Sequence, residues 1–260
     1  MSSSLQTTIR DLHRRKGRER RGLALAEGVR LVEEALAAAV PIRGAAVAPA
    51  LEGTPRGRAL KAALASAGVP LEEVGAPELD RLADTEHPQG IVAVVEPRRW
   101  SLDHMDPGNG AILVLDAVQD PGNVGTMLRT AFALGTAGVV ALPGTAELAN
   151  PKVMRGSMGA LFRLPAVVTS HDEFLAWAGA RNVALWLTAA DGEPLASAIE
   201  RRKERPHAVA VVVGNEGAGV SERLATAAAV RVGIPLAPDA ESLNVGVAAG
   251  ILLYEVLRGR

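Results

Sequence analysis

The sequence predicts an α/β protein in two parts, a small layered domain followed by a parallel-sheet domain. Three observations carry that expectation. Apolar strands alternate with helical segments through residues 22–97, and the alternation restarts over 111–260. A turn-rich stretch without period, RRWSLDHMDPGNG (98–110), separates the two runs and reads as a linker. The strands of the second run are nearly continuous Val, Leu and Ala, the pattern of a parallel sheet covered on both faces.

Composition narrows the function classes. A length of 260 residues fits one large domain or two small ones. With 48% hydrophobic and 22% charged residues, the chain as a whole is not disordered, collagenous or coiled-coil. Aromatics are only 3%, so the core must be built from Ala, Val and Leu. The absence of cysteine excludes disulfides, thiolate nucleophiles, Cys-ligated zinc and iron–sulfur clusters. The five histidines (13, 87, 104, 171 and 207) are scattered and read as surface or structural, so no metal site is expected. The start of the chain lacks the apolar region of a signal peptide. No apolar run reaches the ~18–20 residues that cross a bilayer. A soluble, cytoplasmic protein with no membrane partner is expected.

A formal net charge of −1 excludes a globally basic coat but not a local one. Residues 1–21 carry +5 by formal count and the rest of the chain −6. The run RRKGRERR (14–21) places Arg14, Arg15, Lys16, Arg18, Arg20 and Arg21 in eight positions. Such a run reads either as a solvated helical face or as an arm that tracks phosphates. It holds no stacking aromatic, so base readout by it is not expected.

The elements follow in order. Residues 23–40 read as one helix from the spacing of Leu25, Val29, Val32, Leu36 and Val40, ended by Pro41. A strand at 42–49, a helix at 56–68 stopped by Gly68, a weak strand at 69–75, a helix at 76–88 and a buried strand at 90–97 complete the first part. In the second, strands are read at 111–118, 138–142, 166–170, 183–189, 207–214 and 229–235, with helices between them and at the end. Ligands of such sheets bind beyond the carboxyl ends of the strands, where strand order switches.

Three loops carry the candidate chemistry. In LDAVQDPGNVGTMLRTAFALG (115–135) a strand enters a strong turn and then a helix, with Arg129 about a turn and a half after Asn123. Alone, Asn123 reads as an N-cap and Arg129 as a surface charge. In VVVGNEGAGVSERL (211–224), Gly214, Gly217 and Gly219 permit close backbone approach to a ligand, and Glu216 stands at a strand's carboxyl end. The loop matches neither G-x-G-x-x-G nor a P-loop. In VGIPLAPDAESLNVGVAAGILLYEVLRGR (232–260), Ser242 reads as the cap of the last helix, which leaves Asn244 without a capping role. Gly246 and Gly250 form a bare strip on that helix and suggest a close contact, plausible across a subunit interface.

Asn123 and Arg129, then GNEG, then IPL and ESLN before a terminal helix, together resemble the SpoU family. The segment NPKVMRGSMGALFRLP (150–165) is similar to that family's loop between its first two motifs. The resemblance covers 111–260 and implies a trefoil-knotted α/β methyltransferase domain using S-adenosylmethionine to methylate ribose 2′-hydroxyls of RNA. Residues 22–97, through LAEGVRLVEEAL and TEHPQGIVAVV, resemble the accessory RNA-binding domain related to kink-turn-binding ribosomal proteins. By resemblance, Arg129 orients the target phosphate and ribose, and the hydroxyl proton goes either to Arg129 or to a substrate phosphate acting as relay. Asn123 holds Arg129 or the ribose, and Glu216 fixes loop geometry. Ser242 and Asn244 contact ribose or cofactor, and the backbone near Gly214, Ile234 and Leu243 holds the cofactor. A structured rRNA substrate and a homodimer are implied. A non-catalytic RNA-binding module and a small-molecule enzyme remain the alternatives, and the polar set and the basic arm weigh against each in turn.

Overall fold

The computed structural model describes residues 4–108, 110–204 and 207–258. Residues 1–3 of the basic segment, Asn109 of the linker, 205–206, and 259–260, to which the terminal helix was expected to run, lie outside the described residues. The chain forms two compact units, one of Met1–Arg98 with Ala149–Arg163 and one of Arg99–Leu148 with Leu164–Arg260.

In the first unit the expected arm is folded. Helices α1 (Leu5–Leu12) and α2 (Arg15–Arg21) occupy it, and Ser4 caps α1 by accepting from the Thr7 amide. Ile9 and Leu12 fall one turn apart and are fully buried with Leu25, Ala46, Leu79, Leu82 and Val92. Apolar spacing inside a basic run is what turns an arm into a packed element.

Strand β1 (Ala24–Glu27) replaces the start of the helix expected at 23–40. Its four residues are all buried and pair antiparallel with β4 (Ile91–Val95), so ladder formation overrides the local helical period. Gly28, at φ +92°, turns the chain into α3 (Val29–Ala37). Then come β2 (Ile42–Val47), α4 (Pro55–Ser66), β3 (Leu71–Glu73) and α5 (Ala76–Leu82). The sheet order is β1-β4-β2-β3, with only β2–β3 parallel.

The second unit begins inside the expected linker. Met105 is fully buried in its core, and Trp100 and Leu102 pack against the same cluster. Residues 99–108 are therefore wall, not tether. Strand β5 (Ala111–Leu115) leads to α6 (Pro121–Leu134) and β6 (Val139–Ala141). Helix α7 (Pro151–Gly156) belongs to the first unit, where Arg155 donates to Asp84 at 2.7 Å and Arg163 to Glu34 at 2.6 Å. The chain then returns through β7 (Ala166–Val168), α8 (His171–Ala180), β8 (Ala184–Pro194), α9 (Leu195–Glu204), β9 (Val209–Val213), α10 (Glu222–Ala227), β10 (Val230–Gly233) and α11 (Val245–Leu257).

Six parallel strands run in the order β10-β8-β9-β5-β6-β7. The two central ones, β5 and β9, are buried at every position and align from Ala111–Val209 to Leu115–Val213. Those are the residues whose unbroken apolar runs predict a doubly covered sheet. The chain steps outward to β6 and β7 on one side of β5, and places β9 and β8 on the other. The switch in strand order therefore lies at the β5–β9 pair.

Candidate functional site

The loops after β5 and β9 leave adjacent strand ends, and the loop after β10 leads into α11. Each delivers one polar side chain to a common point. At the start of α6, Asp120 caps the helix by accepting from the Asn123 amide at 2.7 Å, with Pro121 in the first turn. This leaves the Asn123 side chain directed outward. Its Nδ2 donates to Glu216 Oε1 at 2.9 Å, and its Oδ1 accepts from Asn244 Nδ2 at 3.0 Å. Asn244 Oδ1 in turn accepts from the amides of Gly246 and Val247 at 2.9 and 3.3 Å.

The direction of this relay is fixed at both ends. Helix amides can only donate and a carboxylate can only accept, so each Asn amide has one productive orientation. Asn123 is thus not the cap of its helix. Asn244 is the cap of α11, and Ser242, expected there, is not. Reaching Asn123 and the helix amides together is what places the cap at 244.

Beside the relay lies a pocket of about 880 Å³, within the usual range for small-molecule sites. It is lined by Gly214, Glu216, Ile234, Ser242, Leu243 and Asn244, among others. One wall is formed where β8 and β10 slip register between Arg231 and Val232, so that the segment around Asp191 loops out. Asp191 binds Arg231 at 2.7 Å. Neither residue stood out in the sequence, because a bulge between strands 40 residues apart leaves no local pattern.

The pocket suits S-adenosylmethionine. Leu187, Leu243 and Leu252 offer an apolar slot, and Asp191, Glu216, Glu222 and Glu241 outnumber the lone cation Arg231 among its lining residues, matching a cationic ligand. An added Cβ at Gly214 would stand 2.3 Å from the Gly219 carbonyl, so the cradle needs that bare backbone.

Arg129 is not brought into the pocket of its own chain. It lies about 9 Å along α6 from Asn123 and well around the helix from it. It is exposed, and among the described residues it has no hydrogen-bond or ion-pair partner.

The expected RNA-contacting cluster divides. Arg18 is buried and donates to the Leu12 and His13 carbonyls at 2.8 and 2.9 Å, closing the end of α1. It is a structural group, not a phosphate ligand. Arg15 pairs with Glu19, and Arg20 and Arg21 pair with Asp11. The hydrogen bond from Arg21, with Arg20 beside it, holds the Asp11 carboxyl below its ordinary range. Arg14 and Lys16 project from the surface. Gly246 and Gly250 face α6, where an added Cβ would meet Thr126 at 3.7 Å and Thr130 at 3.6 Å. Within the chain, the bare strip therefore lets α11 pack closely on α6.

Among the described residues no helix is long and apolar enough to cross a membrane, and no group of three or more His, Asp or Glu is placed to hold a metal.

The parallel sheet, with a pocket at the carboxyl ends of β9 and β10 and beside the irregular stretch of β8, has the arrangement of an α/β ligand-binding domain. The chain belongs to the SpoU rRNA Methylase family, whose model matches residues 110–254. Residues 7–93 match an MRM3-like substrate binding domain. The chain is 34% identical over 249 residues to the 23S rRNA (guanosine(2553)-2′-O)-methyltransferase RlmP of Bacillus subtilis, covering 95% of this chain and 93% of that protein. It superposes on the AdoMet-bound rRNA methyltransferase of Sinorhizobium meliloti with a TM-score of 0.84 at 29% identity, covering 99% and 97% of the two chains. The AdoMet complex of AviRb, a SpoU methyltransferase from Streptomyces viridochromogenes, gives a TM-score of 0.84 at 29% identity, covering 99% and 98%.

Proposed function

We propose that this chain is an S-adenosylmethionine-dependent methyltransferase acting on a ribose 2′-hydroxyl of 23S-type rRNA. One observation carries the reading. Three motif loops, separated by as many as 121 residues, converge in the Asn123–Glu216–Asn244 relay beside a pocket fit for the cofactor.

The cofactor, when bound, supplies an electrophilic sulfonium methyl. The protein's own work is to position the hydroxyl in line and help remove its proton. Glu216 and the backbone of the loop at Gly214 hold the cofactor loop in shape, and Ile234 and Leu243 flank it. Ser242 and Asn244 contact ribose or cofactor at the pocket rim. Arg129 binds the target phosphate and orients the ribose. A guanidinium stays protonated at neutral pH, so the proton passes to a substrate phosphate held by Arg129. The first unit docks structured rRNA, with Arg14 and Lys16 among its phosphate contacts.

The protein is further proposed to work in the cytoplasm as a homodimer with a trefoil-knotted catalytic unit. Val247, Ile251 and Tyr254 support the dimer. They lie at i, i+4 and i+7 on one face of α11 and are 51%, 37% and 54% exposed, with Phe132 of α6 also exposed at 42%.

The test is transfer of tritium from methyl-labelled S-adenosylmethionine to rRNA from a strain lacking this protein. Label is expected in alkali-resistant dinucleotides, because a 2′-O-methyl group removes the nucleophile of alkaline cleavage. Label in a base, or none in rRNA, overturns the assignment.

A further inference from the structure

We infer that Asp116 and His171 form a clasp that holds the glycine loop after β9 in its cofactor-binding shape. The inference deepens the proposed function and rests on its assignment of the pocket to the cofactor. Neither residue lines that pocket, so both would act as positioning residues.

The loop runs from Gly214 to Val220, between β9 and the Ser221 cap of α10. It is tied internally by paired backbone bonds between Asn215 and Gly219, both 2.9 Å, and by Asn215 Oδ1, which accepts from the Gly217 and Ala218 amides. Its two ends are tied to consecutive residues at the end of β5. At the start, Asn215 Nδ2 donates to the Ala117 carbonyl at 3.1 Å. At the finish, the Ser221 amide donates to Asp116 Oδ2 at 2.7 Å. The Asp116 amide meanwhile extends the ladder to the Val213 carbonyl at 2.9 Å.

Ala117 sits at φ +56°, a conformation that persists in a non-glycine residue only where its surroundings over-determine it. Asp116 is 2% exposed, and a buried carboxylate requires donors. Beyond the Ser221 amide, its second donor is His171 Nε2 at 3.0 Å from Oδ1. Because the carboxylate accepts, His171 carries its proton on Nε2. The ring is held by the first turn of α8, whose Ser170–Glu173 capping box fixes that end of the helix.

Asp, His and Ser together invite comparison with a nucleophilic triad, and the geometry refuses it. Ser221 Oγ lies 3.5 Å from the same Nε2 that binds Asp116. A triad uses opposite ring nitrogens for the acid and the nucleophile. The arrangement suits holding a loop, not activating a hydroxyl.

The test is calorimetric titration of the full-length protein with S-adenosylmethionine, alongside steady-state KM for RNA. The variants are Asp116→Asn, His171→Leu, His171→Gln and, for the pocket itself, Leu243→Ala, each checked for a native thermal transition. Asp116→Asn and His171→Leu are expected to weaken cofactor binding about ten- to a hundredfold while leaving the RNA KM unchanged. His171→Gln retains an N–H donor at a similar reach and is expected to recover most of the affinity. If Leu243→Ala weakens binding but His171→Leu does not, the clasp is overturned and the pocket stands. If His171→Gln is as weak as His171→Leu, the hydrogen bond is not the cause and the clasp is likewise overturned. If Leu243→Ala leaves binding intact, the pocket assignment fails and the clasp fails with it.

Discussion

Asn244 Nδ2 donates to Asn123 Oδ1 at 3.0 Å, joining the head of the last helix to the head of the first helix of the catalytic sheet. Because Asn123 passes its own donor to Glu216, three segments share one hydrogen-bonded polarity.

Breaking that polarity is expected to be worse than shortening it. Asn123→Ala removes one donor from Glu216 and is expected to lower single-turnover methylation about tenfold. Asn123→Asp sets a carboxylate against Glu216 and is expected to lower it further. An aspartate variant more active than the alanine variant would refute the relay.

Arg129→Ala is expected to reduce methyl transfer by a factor of ~10² or more, within the span of one positioned catalytic group, with cofactor affinity nearly unchanged. Arg129→Lys is expected to recover little, since an ammonium lacks the planar fork. Equal losses of turnover and of calorimetric cofactor affinity would count against the assignment.

Two glycines are expected to behave oppositely. Gly214→Ala drives a Cβ to 2.3 Å from the Gly219 backbone and should cost about 1–3 kcal/mol, together with cofactor affinity. Gly250→Ala meets Thr130 at an ordinary 3.6 Å and should stabilise α11 by about 0.5–1 kcal/mol. Paired denaturation curves decide between this and a strip that tolerates no side chain.

In the basic segment, stability and RNA affinity should separate. Arg18→Ala leaves two helix-terminal carbonyls without a donor, so a loss of about 1–3 kcal/mol is expected with an unchanged salt slope. The double variant Arg14→Ala/Lys16→Ala should keep the stability. Its slope of log K for RNA against log salt should become shallower by roughly 0.7–0.9 per lost phosphate contact. An unaltered slope in the double variant removes these two residues from the RNA contact.

Ile251→Glu places a charge at the centre of the exposed α11 face. A shift to monomer in light scattering is expected, with the fold retained by circular dichroism. A monomeric wild-type protein would dismiss the dimer outright.

Much of the catalytic sheet was readable because β5 and β9 are apolar at every position, and such runs admit few other placements. The site motifs were readable because their polar residues follow strand ends. Capping was not. Ser242 and Asn244 are both good caps, and only Asn123, 121 residues away, decides between them. Strand β1 was hidden by helical spacing continuing through Leu25, since its pairing with Val94 is invisible locally. The folding of the basic segment turned on Ile9 and Leu12, two buried side chains among seven basic and two acidic ones.

The chain passes from one unit to the other after Arg98, after Leu148 and after Arg163. A module appended by joining two genes end to end needs a single junction, and this pair has three. The accessory unit therefore cannot be exchanged as a cassette cut near residue 98. A chimera carrying a relative's residues 1–98 would confront Arg155 and Arg163 with foreign partners in place of Glu27, Asp84 and Glu34. Substrate preference, if it resides in that unit, must be transplanted with residues 149–163 as part of the graft.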